Sequence, residues 1–443
     1  MLTQVKERTK SKYREQFFPN YKIDPLAALY NFQKAGLLDR YLLYAGEREV
    51  RIAIGEYIKI AVGRDLIEMS GSEVKSQPIH DPFKQVEEML TALPLDNWTA
   101  YGYVSFDMAS FYSSYSKQSQ NELLYFIIPK TELIFIPEGI CCRSIEAIDD
   151  LEGLLTNEVR LPTYTATSVS IDFSDRQDYE RRVAELIAAI KAECLQKAII
   201  SRTAKYSGEL NVLGTYAIAN QANNAYRSYA FDLGNVKGVG FSPETLMKAT
   251  DGRWVATNPL AGTRPRGETP EEDLRLYAEL FSDAKEVKEH ALSAWLAQQE
   301  MNLVCLPKSV GIFNFMEIKK YRCVQHLSSR VGGLLQPDRT LWDALKVLFP
   351  GITVSGIDKQ QALYWIDRLE DEPRSLYAGG IGWVSANGKA DFALAIRSVF
   401  QYGEMIHLNA GAGIVAESIP ANEYIESVNK MNTMLANLVL EGV

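Results

Sequence analysis

Apolar positions recur at helical spacing in several stretches and alternate with period two through most of the remainder. The best-marked helix opens at Thr269-Pro270-Glu271-Glu272, which supplies a cap hydroxyl, a proline at the first helical position and a glutamate three residues on. Leu274, Tyr277 and Leu280 follow at helical spacing, which predicts one long helix from Thr269 through Asp283-x-Lys285-Glu286-x-x-Glu289-His290. Asp283, Glu286, Glu289 and His290 then share a face, where the acids repel one another unless something positive lies between them. A second helix follows Pro420, with Val428, Met431, Met434 and Leu438 as its apolar side and Glu423, Glu426 and Lys430 on another. A third is predicted from Ser174-x-x-Gln177 as a capping box, with Val183, Leu186, Ile187 and Ile190 buried.

Strand patterns fill much of the rest. Between Arg40 and Met69 alternation is interrupted at Gly46, Gly55 and Gly63, which predicts strands joined by tight turns. A helix from Pro82 to Leu93, strands from Thr99 to Asp107 and from Leu123 to Pro137, and a short helix near Ser144 to Leu155 complete the first third. Beyond the Ser174 helix come a strand starting at Lys197 and a mostly extended region from 310 to 335. A loop at Phe349-Pro350-Gly351-Ile352-Thr353-Val354-Ser355-Gly356 lies between two helices. Further strands begin near Tyr377-x-Gly379-Gly380, hold Arg397 between Phe392 and Phe400, and end at Gly411-Ala412-Gly413.

Composition narrows the class. With 443 residues, 47% apolar and 10% aromatic, the chain can bury a large core. The expectation is one domain over 1–443, with 1–170 as scaffold and 171–443 carrying the site. No apolar run reaches membrane-spanning length, and Met1 to Phe18 is polar and basic without an apolar core, so neither a membrane span nor a signal peptide is expected and the location is cytoplasmic. A net charge of −9 without a basic stripe argues against nucleic acid. Five cysteines, odd in number and without a C-x-x-C pair, read as reduced and structural.

Candidate chemistry then gathers at a few points. Two Glu-x-x-Glu helices that met in space would offer four carboxylates to a hard cation, Mg2+ before Ca2+; apart, each is a solvated acidic face. Lys197 at the strand start reads either as a snorkelling stem or as a base with a depressed pKa. Glu244 in Gly240-Phe241-Ser242-Pro243-Glu244 reads as a turn acid or a general acid. Pro259-Leu260-Ala261-Gly262-Thr263-Arg264 offers loosened backbone N–H groups and a hydroxyl suited to a carboxylate. His290 and His326, two of the four histidines, fall in these stretches. Gly411-x-Gly413-x-x-Ala416 mimics a dinucleotide fingerprint, but Pro420 interrupts the helix such a fingerprint needs, so a nest for a substrate carboxylate is the better reading.

Taken in order, Gly-Phe-Ser-Pro-Glu, Pro-Leu-Ala-Gly-Thr-Arg, Asp-x-Lys-Glu-x-x-Glu-His, Val-Gln-His-Leu, Arg-Ser-Val-Phe and Gly-Ala-Gly-Ile-Val resemble the chorismate-utilising enzymes, from about Asp175 to the end of the chain. That family includes anthranilate, aminodeoxychorismate, isochorismate and salicylate synthases. The resemblance implies an α+β fold, a single large domain with two packed, mainly antiparallel sheets and surrounding helices, with chorismate as substrate and Mg2+ as cofactor. Lys197 stands where ammonia-using branches usually have glutamine, which implies water as nucleophile, and no glutamine amidotransferase subunit is expected. Ala261 replaces the lysine nucleophile of many aminodeoxychorismate synthases, and Thr353 resembles the salicylate-forming branch, whose product commonly feeds siderophore assembly. An isochorismate synthase would share nearly every site residue.

Position by position, the resemblance implies Lys197 as base and Glu244 as acid for the departing C4 hydroxyl. Glu286, Glu289, Glu423 and Glu426 would hold the metal, with Glu289 and Glu426 as direct ligands. Mg2+, helped by Gly262 and Thr263, would hold the ring carboxylate, while Tyr377, Arg397, Gly413 and Lys430 would hold the enolpyruvyl carboxylate; His326 and Gly411 are also expected to bind substrate. Thr353 is expected to touch the bound ring or its carboxylate. Asn258, Asp358 and Ala421 depart from residues common in the family at those points.

Overall fold

The structure is a computed structural model that describes residues 13–442 except 72, 158–160, 170–173, 224 and 323; the side chains of Thr263 and Lys285 also lie outside the described residues. Two long strands, Val50–Val62 and Leu124–Ile136, pair antiparallel along their length and belong to two sheet arms at once. The first arm leaves their 50–54 and 131–136 halves. On one side it runs through Gly139–Ser144 to Arg14–Pro19. On the other it runs through Tyr41–Ala45, Arg227–Asp232, Val236–Ser242, Ser398–Tyr402, Met405–Ile414 and Lys197–Ser207 to the short Gly356–Ile357.

The second arm leaves the other halves through Thr99–Val104, Gly380–Ser385, Ala390–Leu394, Thr245–Thr250 and Trp254–Asn258 to Val324–Leu334. That last strand also pairs with Leu260–Pro265 and Gly311–Lys320. Leu66–Ser70 and Lys75–Pro78 extend the far edge. Among the described residues every ladder is antiparallel, and 21 strands form one connected network.

Gly55 does not end a strand as the pattern predicted. It sits at φ +70 inside Val50–Val62, beside a register shift between Glu56 and Ile58. A bulge there bends the strand, so its two halves serve different arms.

Side-chain alternation then builds four layers. Leu42, Tyr44, Tyr229, Phe231 and Phe400 of one arm share an apolar cluster with Tyr101, Tyr103, Tyr125 and Ile127 of the other. Their neighbours Leu43, Ala230 and Val399 turn outward beneath helices Pro25–Lys34 and Val212–Ala222. On the opposite outer face Ala100, Phe126 and Phe392 lie beneath Pro82–Thr91 and Leu341–Leu348. The two expected sheets are therefore two arms joined through shared strands, with helices outside. Among the described residues no helix is long and apolar enough to cross a membrane.

Several local expectations are corrected. The helix from Thr269 is two helices, Pro270–Ser282 and Ala284–Asn302. Asp283 leaves the first at ψ 106 because its carboxylate caps the second, accepting the Glu286 N–H at 3.2 Å and Arg264 Nη2 at 2.7 Å. Leu276 and Leu280 form the buried side of the first helix, whereas Leu274 is exposed. The helix expected after Ser174 is Arg176–Lys191, and Asp175 at its cap position pairs with Arg202 instead of capping. Arg397 lies in no strand; it occupies a left-handed turn (φ +53) between Ala390–Leu394 and Ser398–Tyr402. The region after Ile136 is a strand, Gly139–Ser144, followed by the one short helix Leu151–Thr156.

Candidate active site

A cavity of about 530 Å3 opens where the two ends of the sheet network meet the helices Ala284–Asn302 and Pro420–Leu435. All of its lining residues fall between Ile199 and Thr433. Glu286 and Glu289 project from one helix and Glu423 and Glu426 from the other, and all four line this cavity. The two acidic helices therefore do meet.

The positive charge their repulsion requires is supplied by the protein. Lys197, 3% exposed at the start of its strand, donates to Glu289 Oε1 at 2.5 Å. Arg264 lies 3.7 Å from Glu286, and Lys430 pairs with Glu426 at 2.7 Å. Among the described residues no three His, Cys, Asp or Glu side chains converge closely enough to hold a metal as they stand. The donor set is nonetheless all carboxylate oxygen on one cavity, which fits a hard dication such as Mg2+ rather than zinc.

Lys197 is no snorkelling surface residue. Its ammonium lies behind Gly413, where an added Cβ would stand 2.9 Å from Lys197 Cε and 3.4 Å from Nζ. A glycine is needed there because any side chain would press on the lysine. Gly262 serves the other wall in the same way: it takes φ +68 at a bulge, and an added Cβ would meet Glu286 Oε2 at 3.1 Å.

Glu244 is 6% exposed, and burial pushes its carboxyl up to about 8 against the pull of Thr353, the Leu260 N–H and the Lys197 charge. It therefore holds a proton at neutral pH, the state a general acid needs. Thr353 Oγ1 is 2.6 Å from Glu244 Oε1, and Thr353 is not among the cavity-lining residues. The Thr353 hydroxyl, expected on the bound ring or its carboxylate, is engaged by Glu244 in this structure.

Opposite these groups lies a cradle for an anion. Among the described residues no hydrogen bond or ion pair engages the Arg397 guanidinium, although it lines the cavity. Burial lowers its pKa, with Tyr377 and Glu426 opposing. A desolvated cation without a partner favours an anionic ligand. Tyr377 is buried, and burial lifts its hydroxyl to about 12. Lys430 Nζ donates to the Gly411 carbonyl at 2.8 Å, which ties the terminal helix to the strand beneath.

His326 Nδ1 lies 3.1 Å from the Gly262 carbonyl. Since a carbonyl only accepts, Nδ1 carries the proton and Nε2 is an acceptor. Burial, followed by the Arg397 charge, lowers His326 to about 4, so it is neutral. His290, in contrast, is fully buried against Ser329 at 2.7 Å and does not line the cavity. The Thr263 side chain lies outside the described residues. Gly411 and Gly413 sit within an antiparallel ladder against Ser201 and Ile199, which excludes a nucleotide-binding βα turn.

The sequence reading missed Arg264, Asn409, Asn429 and Thr433 as lining residues. Asn429 and Thr433 were within reach, because they continue the Glu426 face of the terminal helix at three and seven residues on. Asn409 was not, since its place depends on a strand pairing with Thr203.

An antiparallel α+β sandwich whose carboxylate-lined cavity also holds the buried Glu244 carboxyl and the Arg397 guanidinium suits a small anionic molecule. Residues 41–436 match the chorismate binding enzyme family, and the chain belongs to it. It is 32% identical to a salicylate synthase of Mycolicibacterium paratuberculosis, over 92% of this chain and 91% of that protein. It is 34% identical to anthranilate synthase component 1 of Methanothermobacter thermautotrophicus, over 77% of this chain and 74% of that one. The crystal structure of anthranilate synthase component I from Streptococcus pneumoniae superposes with a TM-score of 0.75 at 29% identity, covering 88% of this chain and 92% of that one.

Proposed function

We propose that the chain is a Mg2+-dependent salicylate synthase, which converts chorismate through isochorismate to salicylate and pyruvate. The observation that carries this reading is a pair of buried groups beside one cavity: Lys197, bonded to the cavity-lining Glu289, and Glu244, which lines the cavity and whose carboxyl burial pushes up to about 8. The likeness to a salicylate synthase over nearly the whole chain supports it.

In this reading Lys197 is the base that accepts a proton from water as the water oxygen bonds to C2 of chorismate. Glu244 gives its proton to the C4 hydroxyl, the C4–O bond breaks and water leaves. Thr353 holds Glu244 in place during the transfer. Arg397, Tyr377 and Lys430 grip the enolpyruvyl carboxylate, and Gly413 leaves Lys197 its room. Bound by Glu286, Glu289, Glu423 and Glu426, Mg2+ would supply positive charge for the ring carboxylate. Isochorismate then stays in the cradle. Its C3–O bond breaks as the C2 hydrogen passes to the enolpyruvyl methylene, which frees pyruvate and aromatises the ring; here the protein's task is to hold the reactive conformer. With water as nucleophile no amidotransferase partner is required.

Incubating the protein with chorismate and Mg2+, with ammonium added in a parallel tube, and reading products by mass spectrometry tests the proposal. Salicylate and pyruvate should form in equal amounts in both tubes, cease with a chelator and return with excess Mg2+. Isochorismate as sole product would make the protein an isochorismate synthase; anthranilate in the ammonium tube would overturn water as the nucleophile.

A further inference from the structure

Glu244 lines a second cavity as well as the main one. This one is small, about 10 Å3, and is bounded by Thr245, Thr257, Ala297, Glu300 and Ile352. That is room for about one water molecule. The Thr245 hydroxyl is buried, Thr245 lines this cavity, and the hydroxyl has no hydrogen-bond partner among the described residues. An orphaned hydroxyl is costly, and one bordering a water-sized space, mostly apolar but with Glu244 and Glu300 also on its wall, needs an explanation. Thr257 cannot donate to it, because its own hydroxyl donates to the Thr245 carbonyl at 3.1 Å.

Glu300 reaches the same space from the helix Ala284–Asn302 that also carries Glu286 and Glu289. It is ion-paired with Lys359, whose ammonium also donates to the Val347 carbonyl at 3.1 Å and lies 3.4 Å from that of Leu348. The Glu300 carboxylate is thereby fixed at the rim of the cavity by a clamp that joins three helices.

We propose that this cavity is a water site built into the fold, and that Thr245 and Glu300 are positioning residues for Glu244 through that water. The bonding closes completely. The water accepts from the Thr245 hydroxyl, donates one hydrogen to the Glu300 carboxylate and donates the other to the Glu244 carboxyl, three bonds in all. Glu244 is then held from the small cavity as well as by the Thr353 hydroxyl and the Leu260 N–H. The remaining groups that act on it are Lys197, which favours its ionised form, and Tyr321, whose hydroxyl donates to the Pro243 carbonyl. The inference rests on Glu244 as the acid of the proposed reaction.

Thr245→Val keeps the shape and removes only the orphan hydroxyl. With the water in place, the loss of one bond should lower kcat about fivefold at unchanged KM. Because the water donates to Glu244, the alkaline limb of the pH–rate profile should move up by roughly half a unit. Thr245→Ser should restore both, and the thermal midpoint of Thr245→Val should not rise. A dry cavity gives the opposite result: Thr245→Val raises the thermal midpoint and leaves the pH profile in place, which overturns the proposal while Glu244 still stands as the acid. If Glu244→Gln keeps full activity, the acid reading fails by itself, and the positioning role fails with it.

Discussion

Thr353→Val removes one hydroxyl and keeps the side-chain shape, so it isolates the 2.6 Å bond to Glu244 Oε1. That bond favours the ionised carboxylate, whose pKa burial has raised to about 8. If the bond is worth about 1 kcal/mol, its loss raises the Glu244 pKa by roughly 0.7 unit, since one unit corresponds to about 1.4 kcal/mol. Glu244 donates only when protonated, so the rate falls as pH rises through its pKa. The alkaline limb should therefore move upward in the variant by about that amount. The carboxyl also loses part of its orientation, which should lower kcat about fivefold. Because the Thr353 hydroxyl is not on the cavity lining, the ratio of isochorismate to salicylate should stay constant while total chorismate consumption falls. Initial rates of pyruvate release across the pH range, with Thr353→Ser as the restoring control, check this. A limb that stays or moves downward, or a rising isochorismate fraction at unchanged consumption, would refute the assignment of Thr353 to the acid.

Other variants probe the rest of the site. Lys197→Ala should keep the fold and lose both isochorismate and salicylate by about 10²- to 10⁴-fold, read by mass spectrometry against a circular-dichroism control. Arg397→Met removes a desolvated cation with no ion pair, so thermal stability should not drop, while KM for chorismate rises on the order of 10- to 100-fold for the lost charged contact. Glu244→Gln should change how stability depends on pH. The wild-type carboxyl keeps its proton up to about 8, whereas the unfolded chain ionises it from 4.5, so wild-type stability falls as pH rises through that window. In the glutamine variant that part of the decline should vanish from melting curves taken across the same range.

What the sequence made legible was local. Several local motifs pointed to their structural places: Glu244 follows the Pro243 turn, and both Glu-x-x-Glu faces lie on helices that line one cavity. What it hid depended on pairing across the chain. Lys197 and Glu289 are 92 residues apart, and only the arrangement of the sheet and helix brings them to 2.5 Å. The break at Asp283 was hidden for the same reason, because the residue caps a new helix only where Arg264 arrives from another strand. Arg397 sits amid apolar residues that read as one strand, yet its left-handed backbone turns the chain between two. Thr353 was placed on the substrate because its loop was legible, whereas its partner lies 109 residues away.

In the proposed reaction, water activated by Lys197 beside Glu289 supplies the oxygen at C2. The most direct measurement is turnover of chorismate with Mg2+ in water enriched in oxygen-18, with the products analysed by mass spectrometry. The account predicts salicylate carrying the heavy oxygen in its ring hydroxyl, formed together with pyruvate and abolished in Lys197→Ala. Unlabelled salicylate, or a product with nitrogen at C2 when ammonium is present, would contradict it.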